Sequence, residues 1–314
     1  MSATTEQTTP ATTSGQAHLD PNRRHDAVLL FDVSDGNPNG DPDAGNLPRV
    51  DPETMQGLVT DVCVKRKIRD WVDATRGTED RYKIYVQGDV ALNDLHQRAY
   101  TELGMSARGT KQARADVERA RKWMCDNFFD IRTFGAVMTT GVNAGQVRGP
   151  MQLTFARSHD PIVPLDLSIT RIAITRPEDM QTVDAEGEEG GGKRTEMGRK
   201  PFVPYGLYRA HLFVNPHFAA RTGFDAADLA IVWEALVRMW DLDRSASRGM
   251  MACRGLYVFS HESPLGNAPA HQLFERVSVG READVAAPRR FDQYEVAVNE
   301  DDMPPGVTLT RVVG

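Results

Sequence analysis

The chain has 314 residues, of which 40% are apolar and 26% charged, values typical of a globular protein with one large domain or two smaller ones. No stretch approaches the roughly twenty apolar residues needed to cross a bilayer, and no signal-peptide pattern opens the chain. Cys63, Cys125 and Cys253 are widely spaced and odd in number, which argues against a disulfide framework and a zinc site. We therefore expect a cytoplasmic protein that does not bind a membrane.

The net charge of −7 is distributed unevenly. Six acidic residues and no basic residue fall within 178–189, and 300–302 forms a second acidic run. Without these acids the rest of the chain would be slightly basic. Because phosphate binding depends on local positive potential and not on total charge, the composition leaves a nucleic-acid partner open.

The first 24 residues are rich in Thr, Ser, Ala and Gln and contain no aromatic residue. Such a composition cannot bury enough apolar surface to offset the entropy of ordering. We therefore expect a disordered tail over 1–24 and a folded part over 25–314. The apolar run 27–33, which opens the folded part, predicts a buried strand.

The first helix is predicted over 54–74. Its apolar residues recur at helical spacing from Val64 to Trp71 and define the face that packs on the core. Asp51 and Thr54 are both suitable N-caps, because a short side-chain oxygen accepts a hydrogen bond from the free N–H groups of the first turn.

The rest of the chain alternates between strand-like and helical patterns. In chain order these are a strand over 81–87, helices over 92–103 and 111–128, a Gly-rich segment over 134–150, strands beginning at 151, 165 and 207, a helix over 225–240, and strands over 254–261 and 293–299. This order predicts an α+β fold of the ferredoxin-like plan: an antiparallel sheet, helices on one face, and a helical insertion over about 75–130.

A long loop of Asn, Asp, Gly and Pro joins the first strand to the first helix and exceeds the usual two to six residues. From Asp35 to Asp43 its spacing fits the first nine positions of an EF-hand calcium loop. Position twelve is Asn46 where a bidentate Glu is needed, and two prolines interrupt the pattern. We expect a structured loop built on Asx turns and glycine, without a bound metal.

Residues 187–194 satisfy most of a phosphate-binding P-loop. However, Arg194 stands where Ser or Thr holds magnesium, and neither a strand before the segment nor a clear helix after it is predicted. The segment is better interpreted as the tip of a long hairpin over about 176–204. The outgoing arm of this hairpin carries Arg199 and Lys200.

Basic residues cluster on and before the first helix. Lys65 and Arg69 share a face at i, i+4, and Arg49 precedes the helix. One interpretation is an ordinary solvated surface in which Arg66 pairs with Asp70. The other is contact with phosphates, where each neutralised phosphate of a single strand adds about 0.7 to the salt slope of binding.

The Gly-rich segment suggests a second contact with a polyanion. Glycines allow close backbone approach and expose N–H donors, while hydroxyl and amide side chains add neutral donors. Phe134 is able to stack on a base, although a single aromatic residue is more often part of a core. The candidate residues of this segment are Phe134, Gly135, Thr139, Thr140, Asn143, Gln146 and Arg148.

No catalytic motif is present. The eight histidines form no HExxH motif, and no serine lies in a GxSxG setting. We therefore predict no catalytic residue, no metal ligand and no cofactor.

Several of these segments together resemble one family. They are GNPNGDPD in the long loop, GLVTDVCVKRKIRDW on the first helix, DIRTFGAVM with the glycine segment through RGPMQLTFARSHDP, and VPYGLYRAHLFVNP. The chain resembles the backbone subunit of the CRISPR Cascade surveillance complex, in the branch found with subtype I-C systems. The resemblance covers about residues 25–300.

This resemblance implies an RRM-like palm, a helical finger and a thumb hairpin, in copies that stack head to tail along the guide RNA (crRNA). It also implies other Cascade subunits and target DNA as partners, with base identity left unread so that the guide stays free to pair. The RNA-facing residues to which it points, together with the hairpin arm, are Arg49, Lys65, Arg66, Arg69, Phe134, Gly135, Thr139, Thr140, Asn143, Gln146, Arg148, Arg199 and Lys200.

One alternative from another functional class stays open. Related RNA-targeting complexes use an Asp of the first strand-to-helix loop to cut RNA, and Asp35 lies in the comparable region. A metal-dependent endoribonuclease on the same fold would use Asp35, Asp41 or Asp43 as ligands. We favour a non-catalytic subunit, because subtype I-C complexes act on DNA through a separate nuclease.

Overall fold

An antiparallel sheet of eight strands lies at the centre of the computed structural model, which describes residues 14–109, 111–173, 175 and 196–314. The helices within these ranges are α1 (Asp61–Arg76), α2 (Leu92–Glu102), α3 (Arg114–Asn127), α4 (Phe129–Phe134), α5 (Pro216–Thr222), α6 (Ala226–Leu242) and α7 (Ala270–Phe274). The strands are β1 (His25–Gly36), β2 (Gly40–Asp41), β3 (Leu47–Pro48), β4 (Gln56–Val59), β5 (Gly135–Met138), β6 (Gly145–Arg148), β7 (Met151–Leu153), β8 (Ala156–Pro161), β9 (Leu165–Arg171), β10 (Glu196–Val214), β11 (Met250–His261), β12 (Val277–Arg281), β13 (Tyr294–Val298) and β14 (Val307–Val313).

The main sheet has the order β14-β11-β1-β10-β8-β4, with β7 and β9 also paired to β10. Within it, β1, α1, β8, β10, α6 and β11 form a βαββαβ unit, and all neighbouring strands run antiparallel. This is the ferredoxin-like arrangement. The predicted α+β fold with an antiparallel sheet is therefore confirmed.

Strand β1 is buried on both faces, which explains its uninterrupted apolar run. Alternate residues point to opposite sides of a sheet. Leu29 and Phe31 therefore join the core beneath α1 and α6, whereas Val28 and Leu30 join a second core beneath α7 and the β12–β13 hairpin. Helices cover one face of β1, and this smaller layer covers the other. The predicted strand over 27–33 is confirmed, and the observed strand is longer, His25–Gly36.

The predicted helical insertion contains α2 and α3, which enclose a third core with the β5–β6 hairpin. This core includes Tyr100, Met124, Phe128 and Met138, all nearly inaccessible to solvent. The helices predicted over 92–103 and 111–128 are confirmed, and so is the helix over 225–240.

The first helix begins later than predicted. Residues 56–59 form β4, which pairs with β8 at the edge of the sheet, so sheet pairing prevails over the helical pattern there. The N-cap is Thr60, and neither Asp51 nor Thr54 has that role.

The strand predicted over 81–87 is wrong. Asp80–Tyr82 is a single 3-10 turn, and irregular backbone follows it. The N–H groups of Tyr85 and Val86 donate to the two carboxylate oxygens of Asp130, at 2.8 and 3.0 Å. A buried side chain thus replaces the strand partner that the apolar alternation suggested.

The N-terminal boundary also differs from the prediction. Residues 1–13 lie outside the described part of the chain, but Ser14–Leu19 form a 3-10 helix packed on the core. Ala17 is 4% exposed, and the indole N–H of Trp233 donates to the His18 carbonyl oxygen at 2.9 Å. The predicted tail over 1–24 is therefore wrong from residue 14 onward, because Ala17 and the His18 backbone find partners in the core and in α6 that the local composition does not reveal.

The predicted hairpin over about 176–204 is described in part. Its outgoing arm is the first part of β10, and the incoming arm is β9, paired from Leu165 opposite Phe202 to Arg171 opposite Glu196. The incoming arm thus begins at 165, earlier than predicted. Residues 176–195, which include the P-loop-like stretch, lie outside the described residues.

Candidate nucleic-acid interface

The loop between β1 and α1 is fastened to the start of the helix. The Asn39 carboxamide oxygen accepts hydrogen bonds from both the N–H and the hydroxyl of Thr60, each at 3.0 Å. Thr60 in turn caps α1 by accepting from the Cys63 N–H. Because a capped helix holds its first turn rigidly, the loop has a fixed position relative to the basic residues of α1.

The loop itself is folded, as the sequence predicts. The Asp41 side chain accepts from the Asp43 N–H in an Asx turn, and Gly45 closes the following 3-10 turn with φ +62°. The Asn37 amide donates to the Asn46 carbonyl oxygen at 2.7 Å and closes the base of the loop.

The acidic residues of this loop do not converge. Asp41 forms an ion pair with Arg49 at 3.3 Å, while Asp35 is exposed with a left-handed φ of +49°. No group of three or more His, Cys, Asp or Glu residues in the described part of the chain is arranged to hold a metal ion.

A cavity of about 460 Å³ lies between the loop, the hairpin arm and the turn after α6. It brings together two regions that the sequence treats separately, since Arg199 and Lys200 on β10 line it together with Asn37 and Asn39. The other lining residues are Gly40, Asn46, Ile169, Pro201, Ser245, Ala246, Ser247 and Arg248. We call this site the palm cavity.

The charges around the palm cavity are only partly neutralised. Arg199 pairs with Asp166 at 2.6 Å but is 76% exposed, and Lys200 has no ion pair among the described residues. Asn37 is 3% exposed, and its side-chain oxygen has no hydrogen-bond partner within the described part of the chain. The cavity therefore combines cationic groups with a buried neutral acceptor.

The basic face predicted on α1 is largely paired within the protein. Lys65 is bonded to Asp61 at 2.8 Å with 13% of its side chain exposed. Arg66 lies 3.5 Å from Asp70, in the pairing that the solvated-surface interpretation predicts, and its side chain is 43% exposed. Of the basic residues predicted on this helix, Arg66 offers the most accessible charge.

Arg69 does not lie on an exposed cationic face, so this part of the prediction is wrong. Its Nε donates to the Asp130 carboxylate at 2.8 Å, and its side chain is 11% exposed. The helical spacing from Lys65 is as predicted, but α4 covers this position and supplies the counter-charge.

Phe134 is also internal, with 7% of its surface exposed. Its ring lies against the charged groups of Lys65 and Arg69, which are 5.6 and 5.3 Å from the ring centroid. Cation–π contacts of this kind are favourable at up to about 6 Å. The ring therefore stabilises the junction between α1 and the glycine segment, and the prediction that it is available to stack on a base is wrong.

The glycine segment is a β-hairpin and not an open track of donors. Strands β5 and β6 pair from Gly135 opposite Arg148 to Met138 opposite Gly145, which consumes backbone N–H groups in the ladder. Gly135 has φ +86°, and a Cβ there would lie 2.4 Å from the Val147 carbonyl oxygen, so the close pairing requires glycine.

The polar residues of this hairpin divide into three groups. Thr139 and Thr140 are exposed at its tip, whereas the Asn143 side chain accepts from the Gly145 N–H at 2.8 Å and shapes the turn. Gln146 and Arg148 are exposed and line a second cavity, of about 810 Å³, with residues of α3 and α5. The predicted RNA-binding residues thus divide among two cavities, the β5–β6 hairpin, the protein interior and, for Arg66, the exposed surface of α1.

The family match identifies the chain. The sequence model of the family "CRISPR-associated protein Cas7" matches residues 23–299. The chain belongs to the Cas7 family. The family resemblance noted from the sequence is confirmed at this level, and the subtype I-C branch stays a prediction.

A curated relative and two solved structures are similar to the chain. A CRISPR-associated protein Cas7 of Haloferax volcanii is 25% identical over 237 residues, covering 68% of this chain and 64% of that protein, less than two thirds of its length. A chain of a "CRISPR RNA-guided surveillance complex, pre-nicking" aligns with TM-score 0.45, 12% identity and coverage of 75% and 78% of the two chains. A second surveillance-complex chain gives TM-score 0.42, 16% identity and 75% and 68% coverage.

Several groups near these sites carry no distinctive sequence signal. Ser245 to Arg248 lie between α6 and β11 and line the palm cavity because β11 pairs with β1, and Arg121 and Arg221 line the second cavity from separate helices. Charge is the local signal for the three arginines, and many ordinary surface residues share it; Ser245 to Ser247 carry no such signal. Within the described residues, no helix has the length and apolar character that crossing a bilayer requires.

Proposed function

We propose that this chain is the crRNA-binding backbone subunit of a type I CRISPR Cascade complex, of subtype I-C. One observation carries the proposal: the palm cavity joins the cationic hairpin arm to the polar loop before α1, in a member of the Cas7 family. The proposed ligand is the sugar-phosphate backbone of a single-stranded guide RNA.

The chemistry of the palm cavity suits this ligand. Lys200 and Arg199 supply positive charge for phosphate oxygens, and the amides and hydroxyls of the lining supply neutral donors and acceptors for phosphate and ribose. The described residues that line the cavity include no aromatic side chain able to stack on a base. This supports binding that leaves base edges free to pair with target DNA.

Repeated copies of the chain would extend along the guide. Three or four phosphate contacts give modest affinity per copy, so many copies on one RNA are needed for stable binding. Head-to-tail contacts of unlike surfaces generate a filament when the rotation between successive copies does not close a ring. Other Cascade subunits would cap the filament, and target DNA would pair with the presented guide.

The proposal predicts that protein purified from its native cells carries RNA. We expect a raised absorbance at 260 nm relative to 280 nm, lost after ribonuclease treatment, and recovered RNA of uniform length. Protein free of nucleic acid that also fails to bind single-stranded RNA at low salt would contradict the proposal.

The proposal also includes the absence of catalysis, which a second experiment tests. Labelled RNA incubated with the protein and Mg²⁺ or Mn²⁺ should stay intact. Metal-dependent cutting that Asp35→Ala abolishes, and that Asp43→Ala or Asp41→Ala alters, would favour the endoribonuclease instead.

A further inference from the structure

The second cavity is the larger of the two described above and has its own set of residues. It lies between α3, β6 and α5, has a volume of about 810 Å³, and shares no lining residue with the palm cavity. We call it the arginine cleft, because four arginines line it. Arg119 of α3 lies 4.0 Å from Asp116, and the other three, Arg121, Arg148 and Arg221, come one from each of these elements.

These three arginines are exposed, and none has an ion pair among the described residues. The acidic residues of the lining are already engaged: Glu118 lies 3.7 Å from Arg114, and Asp126 is bonded to Lys122 at 2.7 Å. The cleft therefore presents three guanidinium groups whose charge is not compensated from within the described part of the chain.

Packing holds two of these arginines in position. The Arg148 guanidinium lies over the Phe218 ring at 4.5 Å from its centroid, which orients the plane and leaves its N–H groups free at the edge. A Cβ built on Gly145 would be 3.5 Å from Cδ of Arg121, so the start of β6 lies directly against the stem of this side chain. Cys125 adds no reactive group, since burial raises the pKa of its thiol to about 11.

We propose that the arginine cleft binds the phosphodiester backbone of a nucleic-acid strand, as a contact separate from the palm cavity. A guanidinium fork matches the paired oxygens of a phosphate, and three forks from different elements match a chain of phosphates better than one small anion. The proposal rests on the nucleic-acid function argued above but uses different residues, so the two can fail separately.

The test compares Arg121→Ala/Arg221→Ala with the wild type, each freed of bound nucleic acid after the guide RNA that it retains on purification has been measured. The matched control is Arg238→Ala/Arg290→Ala, which removes two exposed arginines whose acidic partners, like the arginines themselves, do not line the cleft. Fluorescence anisotropy measures binding of a labelled 30-nucleotide RNA and of a labelled 30-base-pair DNA at several salt concentrations. Circular dichroism checks that each variant is folded.

We expect the cleft variant to bind at least one probe about tenfold more weakly than the control at low salt. The log–log salt slope should fall by about 1.4 for single-stranded RNA or about 1.8 for duplex DNA. A loss with RNA alone assigns the cleft to the guide, and a loss with DNA alone assigns it to the target; either supports the proposal.

Equal affinities of the cleft variant and the control for both probes would overturn the proposal. Unchanged affinities for both nucleic-acid probes, together with shorter assemblies in sedimentation, would also overturn the proposal. The cleft would then bind an acidic segment of a neighbouring copy and not a nucleic acid. The ratio of absorbance at 260 and 280 nm measures how much guide RNA the cleft variant retains on purification. Retained guide RNA shows that the palm cavity still binds RNA, so a loss of probe binding is then due to the cleft.

Discussion

Arg69 and Asp130 form an internal ion pair that joins α1 to α4, with Nε 2.8 Å from Oδ2. Asp130 is 1% exposed, and its carboxylate also accepts the N–H groups of Tyr85 and Val86. The pair and these hydrogen bonds thus connect α1 to α4 and to the segment that precedes α2. Arg69, which the family resemblance assigns to RNA contact, has a structural role instead.

Replacing Arg69 should therefore destabilise the fold. Arg69→Ala leaves the buried Asp130 carboxylate without its counter-charge, and breaking a buried pair in this way costs about 3–5 kcal/mol. Urea denaturation measures the free energy of unfolding. Arg66→Ala is the matched control, since Arg66 is 43% exposed and pairs with Asp70 at the surface. Equal stability of the two variants would contradict the structural role of Arg69.

The hairpin arm should contribute charge to RNA binding without contributing to stability. Lys200→Ala/Arg199→Ala removes two groups that line the palm cavity, so the salt slope for single-stranded RNA should fall by about 1.4. Anisotropy with a labelled RNA measures the slope, and denaturation shows whether the fold is intact. Asp166→Asn, which removes the partner of Arg199, should instead strengthen binding. An unchanged slope in the double variant would exclude the arm from the interface.

Hydrophobic periodicity predicted β1 and α6 of the ferredoxin-like unit, because the spacing of apolar residues in these elements follows their burial directly. Strand β1 is apolar throughout since it is covered on both faces, and α6 is amphipathic since one side packs on the sheet. The pattern over 81–87 also reflects burial, with Tyr82, Ile84 and Tyr85 all internal, but the backbone partner is a carboxylate and not a strand. Periodicity indicates which residues are buried. It does not indicate which groups form hydrogen bonds with their backbone N–H and C=O groups.

Candidate site residues were harder to predict because their roles depend on distant partners. Asp130 is 61 positions from Arg69. In the cleft, Arg148 follows Arg121 by 27 positions and precedes Arg221 by 73. The sequence shows that Arg199 and Lys200 are two adjacent basic residues. It does not show that they lie beside Asn37 in the folded protein. The cationic character of a segment is thus visible in the sequence, whereas its neutralisation and its neighbours are set by the tertiary fold.

Gly36 should be indispensable to the loop beside the palm cavity. A Cβ at this position would lie 1.9 Å from the Arg248 carbonyl oxygen, so Gly36→Ala must push β1 away from the turn after α6. Overpacking of this kind costs about 1–3 kcal/mol, and RNA affinity should fall because Asn37 and Arg248 separate. Gly88→Ala is the control, with nothing within 4 Å of the added Cβ. Denaturation and RNA anisotropy of both variants test this, and a Gly36→Ala protein as stable as the control would contradict it.

His25 should make the fold less stable in mild acid. Its ring is fully buried between Ser260 and the Asp20 carbonyl oxygen, and burial lowers its pKa to about 4, although Asp20 acts in the opposite direction. The unfolded chain, with a histidine pKa near 6.5, therefore binds more protons than the folded protein between these values.

Above about pH 6.5, the full contribution of neutral His25 to the free energy of unfolding is present. Below that pH the free energy of unfolding should fall by up to about 1.4 kcal/mol for each pH unit, until the pH reaches about 4. His25→Gln keeps hydrogen-bonding groups for Ser260 and Asp20 but cannot gain a proton, so its stability should depend less on pH across this range. His217→Gln, on the exposed first turn of α5, is the matched control. Urea denaturation at pH 7.5, 6 and 5 measures the three slopes, and identical slopes for His25→Gln and the wild type would show that His25 is not the group that titrates.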